Sequence, residues 1–225
     1  MSTPAHGIVL DHVFIATGVN APEADVLGAA GIEEGLGDTQ QGQGTACRRF
    51  PLSLQYLDCY WVKREPEARS DRSRPAQFWD RWLRRGDVCP FGLAFRPARD
   101  ETAVAPAAPF PTWPYSPEYL PSTWAIDIAQ DMPLTGPAMF YLPFRRDPKG
   151  SERLHLDGCW QTAITHVRIG VPGGAPTSDA FRWARAAGLL SFTPAERYTL
   201  TLVFDGGVIG GSVDLRPRLP LTLEW

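Results

Sequence analysis

The sequence lacks several features that mark specialised classes of protein. No run of about 18 apolar residues occurs in its 225 residues. The opening letters, MSTPAHGIVLDH, contain no basic segment followed by a long apolar one. The net charge is -3, and no basic stripe is visible that would follow a phosphate backbone. We therefore expect a cytoplasmic protein that binds neither membranes nor nucleic acid and acts on a small molecule.

Cysteine is also scarce. The chain has four cysteines and no C-x-x-C pair, too few for the disulfide framework of a secreted protein of this size. We expect reduced, buried thiols at all four positions, which are Cys47, Cys59, Cys89 and Cys159.

The chain does contain two versions of one pattern. LDHVFIAT at 10–17 and ITHVRIGV at 164–171 are short apolar runs, each with one histidine, and both are typical of strands. Each is followed by a candidate helix cap, Asn20 in the first case and Thr177 or Ser178 in the second. A helical stretch ending in AAG comes next in both halves. The predicted strands that follow are TACRRFPL, SLQYLDCYWV and FGLAFRP in the first half, and RYTLTLVFD, GGSVDLRP and LPLTLEW in the second.

This order predicts an α+β fold of two βαβββ modules, at 8–97 and 161–225. The first module carries an insertion from about 65 to 89 with an amphipathic helix. Residues 98–160 are rich in proline, so we expect a connecting segment with a pair of strands near STWAIDIA and AMFYLPF. Its aromatic residues either roof a cleft or pin the segment to the surface; they are Trp113, Tyr115, Tyr119 and Trp124.

Alternation along a strand decides which residues share a face. In each of four predicted strands, one face is expected to carry a candidate residue and its neighbours. The four groups are His12 with Phe14, Asp58 with Tyr56 and Tyr60, His166 with Arg168, and Asp214 with Ser212 and Arg216. His12 and Asp58 are 46 positions apart, and His166 and Asp214 are 48 apart. The similar spacings suggest equivalent positions in equivalent modules.

The sequence resembles the vicinal oxygen chelate superfamily, and within it the glyoxalase-like domain proteins. GQGTACRRF followed by YLDCYWV is similar to the stretch that those proteins write as G-Q-G-T-x-N and Y-L-E-L-L. The resemblance covers nearly the whole chain. It implies paired half-barrel sheets around a cleft between the modules, where metal-dependent members hold a divalent ion on the first and third strands of each module.

The metal ligands implied by this resemblance are His12, Asp58, His166 and Asp214. Such a set suits zinc, nickel, iron or manganese, and Asp58 or Asp214 would serve as a catalytic base if not bound to the metal. Two differences from the family weigh against carrying its metal ligands over to this sequence. The family usually has Glu where this chain has Asp58 and Asp214, and Asn where it has Cys47. Hydrogen-bonded core histidines and arginine-paired aspartates are the alternative interpretation.

Candidate substrate-binding residues lie near these positions. Arg48 and Arg49 alternate, so only one can face the cleft, where its guanidinium would hold an anionic substrate by two parallel hydrogen bonds. A solvent-facing ion pair is the alternative role. The remaining candidates are Tyr56, Arg168 and Arg216.

Two functions are consistent with the sequence. The first is a metal-dependent enzyme, a lyase or isomerase, acting on a small oxygen-rich or carbonyl compound. A ring-cleaving dioxygenase is a variant whose iron triad omits Asp58. The second is a non-catalytic small-molecule binding protein of the bleomycin-resistance type. A homodimer is allowed but not required, because two modules complete a cleft within one chain.

Overall fold

A computed structural model describes residues 7–98, 106–144, 154–156, 159–161 and 163–225. Within these ranges the strands of the first part are β1 (Ile8–Ala16), β2 (Asp38–Gln40), β3 (Thr45–Leu52), β4 (Gln55–Val62), β5 (Phe91–Pro97), β6 (Thr112–Tyr115), β7 (Ile126–Ala129) and β8 (Ala138–Tyr141). Those of the second part are β9 (Leu154–Leu156), β10 (Cys159–Gln161), β11 (Ile164–Val171), β12 (Leu190–Pro194), β13 (Thr199–Phe204), β14 (Ser212–Asp214) and β15 (Leu221–Glu224). The α-helices are α1 (Asp25–Ala29), α2 (Glu65–Ala68), α3 (Phe78–Leu83) and α4 (Asp179–Ala186).

The strands form two mixed sheets and a small hairpin, which confirms the predicted α+β class. The first sheet has eight strands in the order β2-β3-β4-β1-β5-β8-β7-β6. The second has five in the order β12-β11-β13-β15-β14, and β9 pairs with β10. In the described part of the chain, no helix is both long and apolar enough to cross a membrane.

The two faces of the first sheet have different roles, and strand alternation assigns them. Val13 and Ile15 of β1 are fully buried in a core that they share with Leu27 of α1. This core continues into the second sheet and α4, where Val167 and Phe181 belong to it. The residues of β1 in between, including Phe14, point to the opposite face and pack in a separate cluster.

Residues of the predicted connecting segment complete the first sheet. Strands β7 and β8 form where a pair was predicted, and β8 lies parallel to β5. The unpredicted β6 occupies the edge, where the missing amide proton of Pro114 is tolerated. The two ends of the sheet approach each other: the Tyr115 hydroxyl on β6 donates to Gln43 Oε1, 3.2 Å away, in the turn between β2 and β3. Within the described strands, β2 and β6 are not paired, so the barrel is not closed.

One of the two predicted helix caps is present. The Ser178 hydroxyl accepts a hydrogen bond from the Phe181 amide, 3.2 Å away, at the start of α4. Asn20 instead adopts a left-handed conformation with φ of 65° and leads into a 3-10 turn at Pro22–Ala24 before α1. The Glu23 carboxylate binds the backbone amide of Gly18.

The insertion folds into α2, a 3-10 turn and α3, and α3 is held in place by a buried arginine. Arg81 has no exposed surface, and its guanidinium donates to the carbonyls of Cys89 and Gly136, at 2.9 Å and 2.7 Å. This anchor directs Phe78, the first residue of α3, into the cluster on the outer face of the first sheet.

The second module is not a copy of the first in strand order, which corrects the predicted equivalence. The unpredicted strand β12 lies parallel to β11, the position that β4 has beside β1. Asp58 on β4 is therefore next to β1, directly opposite Phe14. Asp214 lies on the edge strand β14, separated from His166 by β13 and β15. Equal spacing along the chain did not correspond to equal position in the sheet.

Candidate functional site

A pocket of about 70 Å³ lies on the face of the first sheet that turns away from α1 and the second sheet. Strand residues, α3 and the loop after β6 all contribute to it. Its lining includes His12, Phe14, Thr45, Cys47, Arg49, Tyr56, Asp58, Tyr60, Phe78, Tyr115, Tyr119 and Phe140. The sequence predicted a cleft between the two modules; this pocket is instead enclosed by the first module and the connecting segment.

One side of the pocket is an aromatic wall, formed by Phe14, Tyr60, Phe78 and Phe140. The Phe14 and Phe140 centroids are 5.4 Å apart, and Phe78 and Phe140 meet edge to face at 5.6 Å. Gly92, opposite Phe14 in the sheet, makes this possible, because a Cβ there would lie 1.9 Å from the Phe14 ring. The wall thus offers closely packed π-surface to a ligand.

On another side, His12 is oriented by a carboxylate. The Nδ1 atom of His12 lies 2.7 Å from Asp11 Oδ1, and Arg96 Nε lies 2.8 Å from Asp11 Oδ2. Because an ionised carboxylate only accepts hydrogen bonds, Nδ1 carries the proton and Nε2 has the lone pair. Nε2 has no hydrogen-bond partner among the described residues, and the ring lines the pocket. His12 is therefore arranged as a proton acceptor.

Tyr56 lies beside His12 and is flanked by two groups. The two rings stack with centroids 4.4 Å apart and an interplanar angle of 11°. The guanidinium carbon of Arg49 lies 4.4 Å from the Tyr56 centroid. Since β4 runs between β1 and β3, His12 and Arg49 approach Tyr56 from opposite sides.

Arg49 is paired with Asp58 in a two-point contact. Its Nε and Nη2 atoms donate to the two carboxylate oxygens at 2.8 Å and 2.7 Å. Burial alone would lower the pKa of the guanidinium, but the hydrogen bonds to Asp58 raise that pKa above its ordinary value. The pair is a closed unit in which the fork of Arg49 is already occupied.

The GQGT segment supplies a chain of uncharged polar groups. Gly42 and Gly44 have φ of 76° and 77°, and a Cβ on Gly44 would lie 2.4 Å from the Arg64 carbonyl oxygen. This tight turn directs Gln43 and Thr45 inward, where the Gln43 amide donates to the Thr45 hydroxyl at 2.7 Å. The polar chain is Tyr115, Gln43, Thr45, Gln40 and Cys47, linked in that order by hydrogen bonds.

The buried thiol of Cys47 and the buried phenols of the pocket are held in their neutral forms. Burial raises the pKa of the Cys47 thiol to about 12, and the nearby Asp58 acts in the same direction. Burial also raises the pKa of Tyr60 and of Tyr115. Cys47 is therefore an inert thiol and not a nucleophile at neutral pH. Cys59 and Cys89 are buried thiols as predicted, whereas the Cys159 side chain lies outside the described residues.

Of the two adjacent arginines, Arg49 faces the pocket and Arg48 does not. Arg48 turns to the helix side, where it donates to Glu34 and Asp25, both at 2.7 Å. Its hydrogen bonds with Glu34 raise the pKa of the guanidinium. Its predicted substrate-binding role is thus replaced by an ion pair, the alternative that the sequence left open.

The candidates from the second module do not line the pocket. Both ring nitrogens of His166 are engaged, Nδ1 with the Gly188 carbonyl at 2.8 Å and Nε2 with the Ser191 hydroxyl at 2.7 Å. Three further candidates form two ion pairs outside the pocket, Arg168 with Glu224 and Arg216 with Asp214. Each is satisfied by partners within the second module.

The four implied metal ligands are not brought together, which corrects the predicted metal centre. Two of them lie near the pocket, and two lie on the second sheet. The Asp58 oxygens are both bound by Arg49, and the Asp214 oxygens by Arg216. No group of three or more His, Cys, Asp or Glu side chains with metal-binding geometry occurs within the described ranges. These residues do not fit the implied ion, nor the iron triad of the dioxygenase variant.

Several residues in or next to the pocket were not recognised in the sequence as functional candidates. Asp11 was not considered, because strict alternation puts the residue before His12 on the other face of the strand. Gln43 and Thr45 were considered only as letters of the GQGT motif. Tyr115 and Tyr119 were recognised as possible roof residues, and both do line the pocket. The signal that would have identified the polar residues was the GQGT turn itself, whose glycines force its Gln and Thr to one side.

Comparison with known proteins gives a fold and no family. No family profile matches the chain, and no curated protein is significantly similar to it. Among solved structures, a hypothetical protein from Staphylococcus aureus is 8% identical, with a TM-score of 0.52 over 96% of this chain and 98% of that one. At this identity the likeness concerns the fold alone.

A methylmalonyl-CoA epimerase from Mycobacterium tuberculosis is 13% identical, with a TM-score of 0.35 over 63% of this chain and 90% of that chain. A likeness at this TM-score does not establish a shared fold.

Proposed function

We propose that the protein is a glyoxalase-like enzyme of the lyase or isomerase type, in which His12 transfers a proton to or from a small oxygen-bearing compound. The observation that carries the proposal is the line of contacts from Arg96 through Asp11 to His12. It fixes the tautomer and leaves Nε2 as a base at the pocket. The resemblance of the GQGT segment to glyoxalase-like proteins supports the same class. No step is assigned to a metal, because the residues do not form a set of ligands.

The chemistry would be removal of a proton from carbon next to a carbonyl. His12 Nε2 takes the proton, and its return to the substrate completes an isomerisation. Asp11 holds the imidazolium that forms in between, as a carboxylate partner of a catalytic histidine does. The polar chain lies in the same pocket, and the second amide protons of Gln40 and Gln43, which its internal hydrogen bonds do not use, can donate to the developing enolate oxygen.

Proton transfer is tested directly by isotope exchange. The protein is incubated in D₂O with a panel of small 2-oxo and 2-hydroxy carbonyl compounds, and loss of the C–H signal is followed by NMR. His12→Gln should slow exchange by about 10²-fold to 10⁴-fold, the usual contribution of a positioned base. His166→Gln is the matched control, since that strand histidine is engaged by its neighbours outside the pocket. The proposal would be contradicted if both variants lost exchange activity equally, or if His12→Gln exchanged the proton as fast as the wild type.

A non-catalytic binding protein is the second candidate. It is favoured by the closed Arg49–Asp58 pair beside the aromatic wall, an arrangement that needs no reaction to explain it. In that case ligands bind the wild-type protein and His12→Gln equally well, and no compound in the panel exchanges.

A further inference from the structure

We propose that the pocket takes an uncharged, ring-bearing ligand and rejects anions. The inference deepens the proposed function and rests on it for the location of the site. It reverses the expectation from sequence that an arginine near GQGT binds an anionic substrate.

The cation of the pocket is already paired with a carboxylate. Among the described lining residues, Arg49 is the one permanent cation, and the aspartates lining the same space are Asp38 and Asp58. Arg49 gives its Nε and Nη2 donors to Asp58 and stacks on Tyr56. A carboxylate or phosphate entering the pocket would meet an excess of negative charge and would have to displace Asp58 to reach the fork.

The aromatic wall selects for a ring. The Phe14, Tyr60, Phe78 and Phe140 side chains contact one another at centroid distances from 5.4 Å to 5.8 Å. They leave a space lined by both ring edges and faces. A flat apolar group gains contact area and offset stacking there, whereas a flexible polar chain gains little.

The remaining polar groups are uncharged. Gln43 and Thr45 are almost fully buried, and with Cys47 and Tyr115 they offer amide, hydroxyl and thiol groups. Such groups satisfy a hydroxyl or carbonyl oxygen of a neutral ligand without any cost of burying an unpaired charge. The neutral form of Cys47 agrees with this character.

The first test compares three probes of one size: benzyl alcohol, benzoate and benzylamine. Calorimetry on the full chain should detect benzyl alcohol with a Kd of about 10 mM or lower, as expected for a buried ring of this size. Benzoate should bind about tenfold more weakly or worse. Benzylamine should also bind more weakly than the alcohol, because the cost of desolvating its ammonium exceeds the attraction of Asp58, whose charge Arg49 already balances, and of the partly exposed Asp38. No detectable binding of the alcohol, or tighter binding of either ion, would overturn the proposal.

The second test changes the charge pair. Asp58→Asn releases the Arg49 fork, and benzoate affinity should rise about tenfold, while benzyl alcohol affinity changes less than about threefold. Asp214→Asn, which removes an arginine-paired aspartate outside the pocket, is the matched control and should alter neither. An unchanged benzoate affinity in folded Asp58→Asn would count against the proposal.

A third variant guards against failure of Asp58→Asn to fold. Phe140→Leu shortens the aromatic wall and should weaken benzyl alcohol binding by about tenfold, the loss expected for one good ring contact. Unchanged binding in this variant would place the ring elsewhere and overturn the proposal. The two proposals can fail separately. If no isotope exchange is found but the three probes bind in the expected order, only the proposed proton transfer is wrong. If the order of probe affinities is reversed, only the proposed ligand class is wrong.

Discussion

Asp11 Oδ1 lies 2.7 Å from Nδ1 of His12, although the two residues are neighbours in one strand. The pairing of β1 with β5 shifts register between Leu10 and His12, and this irregularity brings side chains together that regular alternation would separate. Arg96, from β5, completes the arrangement by binding the second Asp11 oxygen. An irregularity in strand pairing thus coincides with the place where the Asp11 carboxylate meets the His12 ring.

This relationship predicts the histidine tautomer. In ¹⁵N-detected long-range correlation spectra at neutral pH, neutral His12 should carry its proton on Nδ1. Asp11→Asn should weaken that preference, because an amide can donate as well as accept. His166 is an internal control, since its Nδ1 donates to the Gly188 carbonyl in both proteins. A His12 that keeps the Nε2–H form in the wild-type protein would contradict the arrangement.

Alanine substitutions at two glycines, one in the GQGT turn and one in α1, should have opposite effects on stability. Gly44→Ala should destabilise the protein by about 2 kcal/mol or more, since it combines positive φ with a 2.4 Å approach to the Arg64 carbonyl oxygen. Gly28→Ala, in α1 with no atom within 4 Å of the new Cβ, should stabilise by about 0.5 to 1 kcal/mol. Urea unfolding of the two variants gives both values. A Gly44→Ala protein as stable as the wild type would show that the turn is not held as described.

The Asp214–Arg216 pair predicts a small, pH-dependent contribution to stability. Hydrogen bonds from Arg216 lower the pKa of Asp214 from 3.8 to about 2. A lowered folded-state pKa adds stability above the unfolded value, and this is lost as pH falls through about 2.

Both partners are half exposed, so Asp214→Asn should cost at most about 1 kcal/mol at neutral pH. Urea titrations between pH 7 and pH 2 should show the difference from wild type shrinking toward zero. If the loss of unfolding free energy in Asp214→Asn stayed constant across that pH range, the effect would come from packing and not from charge.

Burial predicts that Cys47 resists alkylation. With a thiol pKa of about 12, the thiolate fraction at pH 8 is about 10⁻⁴. Iodoacetamide labelling followed by peptide mass spectrometry should find Cys47 unmodified in the native protein and rapidly modified in urea. Fast native labelling of Cys47 that leaves Cys59 and Cys89 unmodified would instead identify a reactive thiol in the pocket.

Local signals in the sequence predicted local structure well. The segments TACRRFPL and FGLAFRP coincide with β3 and β5, because apolar residues in a strand must face the core in alternation. The same rule placed His12 and Asp58 on one face and Val13 on the other, where the structure has them. It does not account for the contact between Asp11 and His12, because alternation does not reveal an irregularity in strand pairing.

These local signals did not predict the order of the strands in the second sheet. The short segment LSFTP, with a proline at its end, gave no strand signal, yet it forms β12 beside β11. Its insertion moves Asp214 to the far edge of the sheet. Which strands become neighbours is decided by packing between distant parts of the chain, and the near-equal spacings carried no information about it.

The pocket lining extends from His12 to Phe144, and the second sheet contributes none of it. During synthesis, every described lining residue has therefore been translated before the second sheet, whose first strand along the chain, β11, begins at Ile164. The final strand of the first sheet to be made, β8, must join β5 before the pocket can close. A ligand present in the cell can then meet an incomplete nascent chain, and its binding would favour a curled first sheet while the second is still on the ribosome.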